Sequence, residues 1–258
     1  FNSIPYTYNS PGTYTITIET NSSCKDSTIP PRIIIVYPKP NVSFTAEPVC
    51  LGQATSFTSI VDIEPATSDT ITCPDTTIII PVPAGDTSNL IYTWIGLDVD
   101  SGTFVLGDIN HPNPEFEFNS CGEHIVSLTI TDANTCDTTF TDTIEVWDTP
   151  KAGYIIEPVC EGALTVFQDT SIFNLDCFGA AIIHWSWDFG DGSPIDTTPN
   201  PTHTYTPICN PNNIDTTYLT WLTITDTNGC IGSESDSAKV YCNPTAEFDS
   251  TAIICLEA

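Results

Sequence analysis

The sequence predicts an all-β chain of tandem two-sheet sandwiches, and three observations predict it. Segments alternate apolar and polar residues, turn-forming residues separate those segments every eight to twelve positions or so, and sequence landmarks return in a fixed order. The alternation is clearest in Tyr14-Thr-Ile-Thr-Ile18, Ile125-Val-Ser-Leu-Thr-Ile130 and Tyr218-Leu-Thr-Trp-Leu-Thr-Ile224, which are β-branched and aromatic. Pro11-Gly12, Gly190-Asp-Gly192 and Asn228-Gly229 supply the turns. No amphipathic helix of useful length interrupts the pattern.

Three landmarks define the repeats. Pro40-Asn-Val-Ser-Phe-Thr-Ala-Glu-Pro-Val-Cys50 returns as Pro150-Lys-Ala-Gly-Tyr-Ile-Ile-Glu-Pro-Val-Cys160 and begins again at Pro244-Thr-Ala-Glu-Phe248. Leu128-Thr-Ile-Thr-Asp-Ala-Asn-Thr-Cys136 returns as Leu222-Thr-Ile-Thr-Asp-Thr-Asn-Gly-Cys230, with an earlier copy running from Ile16 to Cys24. Pro112-Asn-Pro-Glu-Phe-Glu-Phe118 matches Pro199-Asn-Pro-Thr-His-Thr-Tyr205. The register predicts the end of one repeat over 1–38, whole repeats over 39–148 and 149–242, and the start of another over 243–258. On this reading the chain is a piece of a longer array. Cys50 and Cys160 stand 110 positions apart, Cys136 and Cys230 only 94, so the first whole repeat carries extra residues. The excess falls before Trp94, around 66–88. Repeats of this size, built of short strands, fit immunoglobulin-like sandwiches.

Composition bounds the function. Against 33 Asp and Glu stand five Lys and Arg, a net charge of −28 that repels nucleic acid and anionic lipid headgroups. Eleven cysteines without a Cys-x-x-Cys pair or zinc-like Cys/His spacing read as disulfides formed outside the cytosol. No window approaches a membrane-spanning length of apolar residues, so no membrane insertion is expected. The chain shows no His-Glu-x-x-His, no Gly-x-Ser-x-Gly and no P-loop, and the expectation is a protein that is not an enzyme. His184 and Ser186 share a strand face by spacing, which chance explains better than a catalytic dyad.

One stretch resembles a known family. Trp187-Asp-Phe-Gly-Asp-Gly192, followed by His203-Thr-Tyr205 and a Thr-rich strand ending in Asp-x-Asn-Gly-Cys230, is similar to the polycystic kidney disease (PKD) domain. The resemblance covers the repeat at 149–242. The preceding repeat departs from it, with Tyr92-Thr-Trp94-Ile-Gly-Leu-Asp98 in place of the signature and Phe116 and Phe118 where His203 and Tyr205 would stand. The resemblance implies PKD-type immunoglobulin-like sandwiches acting as spacers and binding modules. The Val-Cys-x-Gly and Asp-x-Asn-Gly-Cys forms also resemble those of large PKD-repeat adhesins of Bacteroidota, including gliding-motility adhesins.

That resemblance and the register together set the expectations for sites. Asp188 and Asp191 cap a tight turn or, alternatively, ligate calcium, the one candidate ion where no cofactor is otherwise expected. Equivalent positions suggest disulfides Cys50–Cys136, Cys160–Cys230, Cys73–Cys121 and Cys177–Cys209. Cys24 and Cys255 are then left for partners outside the chain, and Cys242 is unassigned. Asp followed by Ser or Thr and a small, aliphatic or Thr residue resembles an O-glycosylation sequon of Bacteroidota. It marks Ser27, Thr70, Thr76, Thr138, Thr143, Thr197, Thr216, Ser237 and Ser250; chance recurrence in a chain rich in Thr and Asp is the other reading.

Two functions fit. One is a structural or adhesive segment of a long extracellular surface protein or filament, whose partners are neighbouring repeats, identical chains and cell-surface or polysaccharide ligands. The other is a set of non-catalytic spacer or binding modules in a secreted hydrolase.

Overall fold

The computed structural model describes residues 5–17, 31–63, 67–73, 76–82, 85, 89–173, 177–206 and 215–243, with backbone alone for 67–73 and 76–82. Every regular element in it of more than one turn is a strand, and the chain has the all-β immunoglobulin-like fold. It divides into two compact units, residues 1–146 and 147–258.

The first unit begins with a hairpin of β1 (Gly12–Ile16) and β2 (Arg32–Val36). There follow β3 (Asn41–Thr45), β4 (Val49–Cys50), β5 (Ala54–Ser56) and β6 (Thr58–Asp62), with β3 and β6 antiparallel. The segment around 66–88 holds a further hairpin, β7 (Thr67–Cys73) against β8 (Thr76–Val82). After it come β9 (Ile91–Ile95), β10 (Gly102–Leu106), β11 (Glu115–Phe118), β12 (Gly122–Thr131) and β13 (Asp137–Trp147). One sheet runs β4-β13-β12-β9 and another β10-β11-β5.

The second unit repeats this plan in fewer strands. They are β14 (Tyr154–Ile156), β15 (Val159–Cys160), β16 (Leu164–Asp169), β17 (Ile182–Asp188), β18 (Thr202–Thr204), β19 (Thr216–Asp226) and β20 (Ile231–Tyr241). They form sheets β14-β16-β18 and β15-β20-β19-β17. The short β15 lies parallel to the end of β20, with Val159 beside Val240 and Cys160 beside Tyr241.

Strand alternation builds each core. Val126, Leu128 and Ile130 of β12 are fully buried, while Ser127, Thr129 and Thr131 between them face outward. They pack with Trp94 of the neighbouring β9 and with Phe44, Phe57, Phe116 and Phe118. In the second unit Leu222 and Ile224 of β19 meet Phe167, Trp187, Phe189 and Tyr205. Each large apolar side chain buried in this way contributes about 1.5–3 kcal/mol. Close backbone crossings fix some sequence choices absolutely: a Cβ on Gly232 would lie 1.9 Å from the Pro150 carbonyl oxygen, where the chain entering the second unit crosses β20.

The structure overturns two expected disulfides. Cys136 and Cys160 are free thiols, whereas Cys50, Cys121, Cys177, Cys230 and Cys242 are disulfide-bonded. Strand direction is the reason. Cys160 pairs with Tyr241 at the end of β20, but Cys230 immediately precedes its start. Eleven residues of strand separate them, roughly 35 Å, against the Cα spacing of under about 7 Å that a disulfide needs. Cys50 and Cys136 hold the matching places around β4 and β13. The side chains of Cys73 and Cys209, and all of Cys24 and Cys255, lie outside the described residues.

Cys177 has a different neighbour. The Phe178 carbonyl accepts from Asn228 Nδ2 at 2.9 Å and the Ala181 carbonyl from the Thr227 amide at 3.1 Å, so the segment after Cys177 borders the hairpin that ends at Cys230. Non-reducing peptide mapping is expected to find Cys177 linked to Cys230; a Cys177–Cys209 peptide would refute this. Of the two thiols, exposed Cys160 is expected to alkylate faster than half-buried Cys136. Burial first, and the Asp132 carboxylate second, push the Cys136 thiol up and deplete its thiolate.

Candidate functional site

The Trp187–Tyr205 motif forms an aromatic clasp. Trp187, next to last in its strand, is fully buried, edge-on to Tyr154 with centroids at 5.0 Å and 5.4 Å from Phe167. Its Nε1 donates to the Thr198 carbonyl at 3.0 Å, and its backbone exchanges hydrogen bonds with Asp196 at 2.8 and 3.2 Å. The chain then turns sharply. Asp188 Oδ1 accepts from the Gly190 amide at 2.9 Å and Asp191 Oδ1 from the Ser193 amide at 3.0 Å. Gly190 and Gly192 take left-handed φ values of 75° and 82°.

His203 and Tyr205 close the clasp from β18 and the residue just beyond it. The His203 ring stacks on Phe189 with centroids 4.2 Å apart and planes 4° apart, and its Nε2 meets Asp191 Oδ2 at 2.8 Å. Tyr205 donates its hydroxyl to the Phe189 carbonyl at 3.0 Å and stacks on Tyr218 at 4.3 Å. Burial, and secondarily the Asp191 charge, pushes the Tyr205 phenol well above its ordinary range, so it remains a neutral donor.

Asp191 is a titratable member of this cluster whose carboxyl is shifted by its partners. Its burial opposes ionisation, but hydrogen bonds from Ser193 and His203 outweigh that, and its carboxyl sits below the usual range. A carboxyl that is more acidic when folded stabilises the unit above its unfolded pKa of about 3.9 and loses that contribution as pH falls further. Acid unfolding of Asp191→Asn is therefore expected to be shallower than wild type below about pH 4, with the wild-type advantage at neutral pH shrinking as the carboxyl protonates. Parallel acid titrations followed by near-ultraviolet circular dichroism would measure it; superimposable pH profiles would count against the clasp.

The first unit reaches the same arrangement with different residues. Trp94 is fully buried and donates its Nε1 to the His111 carbonyl at 2.9 Å. Phe116 lies opposite Thr55 as His203 lies opposite Thr165, and Phe116 and Phe118 are both buried. The turn after β9 is capped by Asp98, whose Oδ1 accepts from the amides of Asp100 and Ser101 at 3.1 and 2.9 Å.

The structure places most of the expected site residues. Asp188 and Asp191 are turn caps, Asp191 also being bound to His203, and among the described residues no group of three or more His, Cys, Asp or Glu is placed to share a metal ion. Thr143, Thr197 and Ser237 are exposed; Thr138 and Thr216 are half-buried. Ser27 and Ser250, and the side chains of Thr70 and Thr76, lie outside the described residues. Among the described residues His184 and Ser186 are not hydrogen-bonded to each other; both lie on β17, on either side of Trp185.

Sequence reasoning missed the role of Asp132 and Asp226. Both are buried, and each organises a hairpin: Asp226 Oδ1 accepts from the amides of Asn228 and Cys230 at 2.9 Å, and Asp132 Oδ1 from that of Cys136 at 2.8 Å. The signal was present in the recurrence of Thr-Asp-x-Asn-x-Cys. An acid that returns at one place in a turn preceding a strand marks a hydrogen-bonding cap.

These features define a class: an immunoglobulin-like sandwich braced by aromatic packing and turn-capping carboxylates. Residues 157–241 match the PKD domain family. Among solved structures the chain is similar to the PKD1 domain from Vibrio cholerae metalloprotease PrtV, at 29% identity and TM-score 0.29 over 36% of this chain and 98% of that one. It is similar also to the PKD1 domain of Vibrio anguillarum Epp, at 21% identity and TM-score 0.29 over 37% and 96%. A further likeness is to fibronectin(III)-like modules of Clostridium thermocellum CbhA, at 8% identity and TM-score 0.32 over 81% and 100%. Modules of these kinds are generally non-catalytic.

Proposed function

We propose that this chain is a structural and adhesive segment of a long, extracellular bacterial surface protein, in which tandem PKD-type repeats form a stalk or filament. One observation carries the reading. Two successive units place a buried Trp, a left-handed turn glycine and a hairpin-capping Asp in matching positions on matching strands. A shared scaffold repeated from unit to unit suits a module whose work is to extend and present.

Supporting features agree. Disulfide-bonded cysteines belong in an oxidising space, and a net charge of −28 keeps a long acidic stalk soluble and apart from nucleic acid. Short Pro-marked junctions such as Trp147-Asp-Thr-Pro150 limit rotation between repeats. Each repeat would add roughly 35–40 Å, given strands of about ten residues. The chain acts without cofactor or enzymatic activity, and its partners are neighbouring repeats and external ligands. Asp142-Thr143 stands exposed on β13, as a carrier of O-linked sugar would.

Negative-stain microscopy of the native protein tests the reading. Regularly segmented rods tens of nanometres long, at roughly 35–40 Å per segment, are the expected result. A short particle dominated by one catalytic domain would overturn it in favour of spacer modules in a secreted hydrolase.

A further inference from the structure

We propose that the outer face of the β17-β19-β20 sheet is a binding track for an uncharged polysaccharide, with the Trp221 indole as its stacking platform. This deepens the adhesive reading and rests on it for an extracellular setting. Trp221 sits in the middle of β19, a central strand whose backbone is paired on both sides, so the strand offers no free edge. Alternation sends Thr220 and Leu222 into the core and leaves the indole 46% exposed on the opposite face.

The first unit shows what this position holds when it serves the fold alone. The matching cross-strand row is Ile95–Ser127–Thr141, whose Ser127 and Thr141 hydroxyls bond each other at 2.7 Å. In the second unit the row is Asp188–Trp221–Ser235. A flat ring has replaced the hydroxyl pair's member on the central strand, a carboxylate stands on one side of it and a hydroxyl on the other. Among the described residues no hydrogen bond closes this row.

The surroundings continue in the same chemistry. Toward one end lie Ser186, Thr223 and Ser233, the last two at 3.2 Å from each other; toward the other lie Leu219 and Ser237. Tyr241, 39% exposed, closes the track on β20, with the Lys239 ammonium 4.6 Å above its ring. Six residues of strand separate the Trp221 row at Ser235 from Tyr241, a run of about 20 Å.

A sugar ring has an apolar C–H face and a rim of hydroxyls. The first stacks on an indole, and the second pairs with serine, threonine and carboxylate side chains. Isolated aromatics spaced along a hydroxyl-bearing sheet match an extended chain of such rings. A protein partner would call for a larger contiguous apolar core inside its polar rim than one indole, one leucine and one tyrosine supply. The net charge of −28, with the lysine of this face drawn over Tyr241, selects against polyanions, and a row with one carboxylate among hydroxyls suits an uncharged polymer.

Native affinity electrophoresis tests this with the 258-residue chain in gels containing hydroxyethylcellulose, xyloglucan, galactomannan or, as a polyanion, polygalacturonate. Retardation by at least one of the three neutral polymers and not by polygalacturonate is expected. Trp221→Ala is expected to weaken it about tenfold, the scale of one lost stacking contact, and Ser127→Ala to leave it unchanged. Circular dichroism and thermal melting establish that each variant is folded; should Trp221→Ala melt early, Tyr241→Ser and Asp188→Asn give the same reading from the neighbouring strands. No retardation in any neutral polymer, or folded Trp221→Ala, Tyr241→Ser and Asp188→Asn all retarded as strongly as wild type, would overturn the track. Segmented rods seen by microscopy without polymer binding would leave the stalk standing and sink only this inference.

Discussion

Trp187→Ala is expected to strip about 3–5 kcal/mol from the second unit while the first unit keeps its stability. Trp187 is fully exposed to core neighbours and not to solvent: Tyr154, Phe167 and the rest of its cluster surround it, and its Nε1 satisfies the Thr198 carbonyl. Truncation leaves a cavity the size of an indole and strands a carbonyl, a loss of about 3–5 kcal/mol from packing alone. Small domains are stable by only about 5–15 kcal/mol, so little margin survives. Urea unfolding followed by near-ultraviolet circular dichroism, with limited proteolysis to identify the surviving fragment, gives the measurement. A loss below about 1.5 kcal/mol would mean the indole is not the keystone of that core.

Gly190→Ala is expected to cost nearly as much, although it adds a single methyl group. At φ 75° a Cβ meets left-handed strain of about 1–2 kcal/mol, and here it would also lie 2.1 Å from the Leu219 carbonyl oxygen on β19. That oxygen is backbone, so relief requires a shift of the strand and brings the total to the order of 3–4 kcal/mol. Gly192 is the control. Its φ is 82°, but nothing lies within 4 Å of the added carbon, so Gly192→Ala should cost only the strain, about 1 kcal/mol. Comparing their urea midpoints separates the close approach from the φ penalty; equal midpoints would show that contact with β19 does not matter. The first unit uses the same device, since a Cβ on Gly96 would lie 2.3 Å from the Ile125 carbonyl oxygen.

The strands and the turn chemistry were readable from sequence because they rest on local periodicity. Ile125-Val-Ser-Leu-Thr-Ile130 states which residues enter the core, and β12 obeys it. The Asp-Phe-Gly-Asp-Gly192 string likewise carries its own turn. Cysteine pairing was not readable, since the repeat register says which positions are equivalent and not which end of a sheet each occupies. Cys160 and Cys230 flank the same strand from opposite ends, a fact that emerges only when β15 is seen to run parallel to β20. Trp221 was obscured differently. In Thr220-Trp221-Leu222 two apolar neighbours leave the phase of alternation open, and only pairing with β17 and β20 shows that the indole is the outward one. The site was thus less legible than the fold, because it depends on a residue that breaks the apolar-inward rule.

The parallel seat of β15 against the end of β20 decides how the second unit answers to force. β15 comes early in the second unit, just after β14, β20 is its last described strand, and the two run the same way. Tension that reaches β15 and the far end of β20 therefore drags them past each other along their length, loading the bonds at Val159, Cys160 and the Glu161 amide to Tyr241 all at once. Bonds sheared together resist far better than bonds peeled in turn, so a few residues of parallel pairing can hold a tether closed under a pull that an antiparallel hairpin of equal length would yield to.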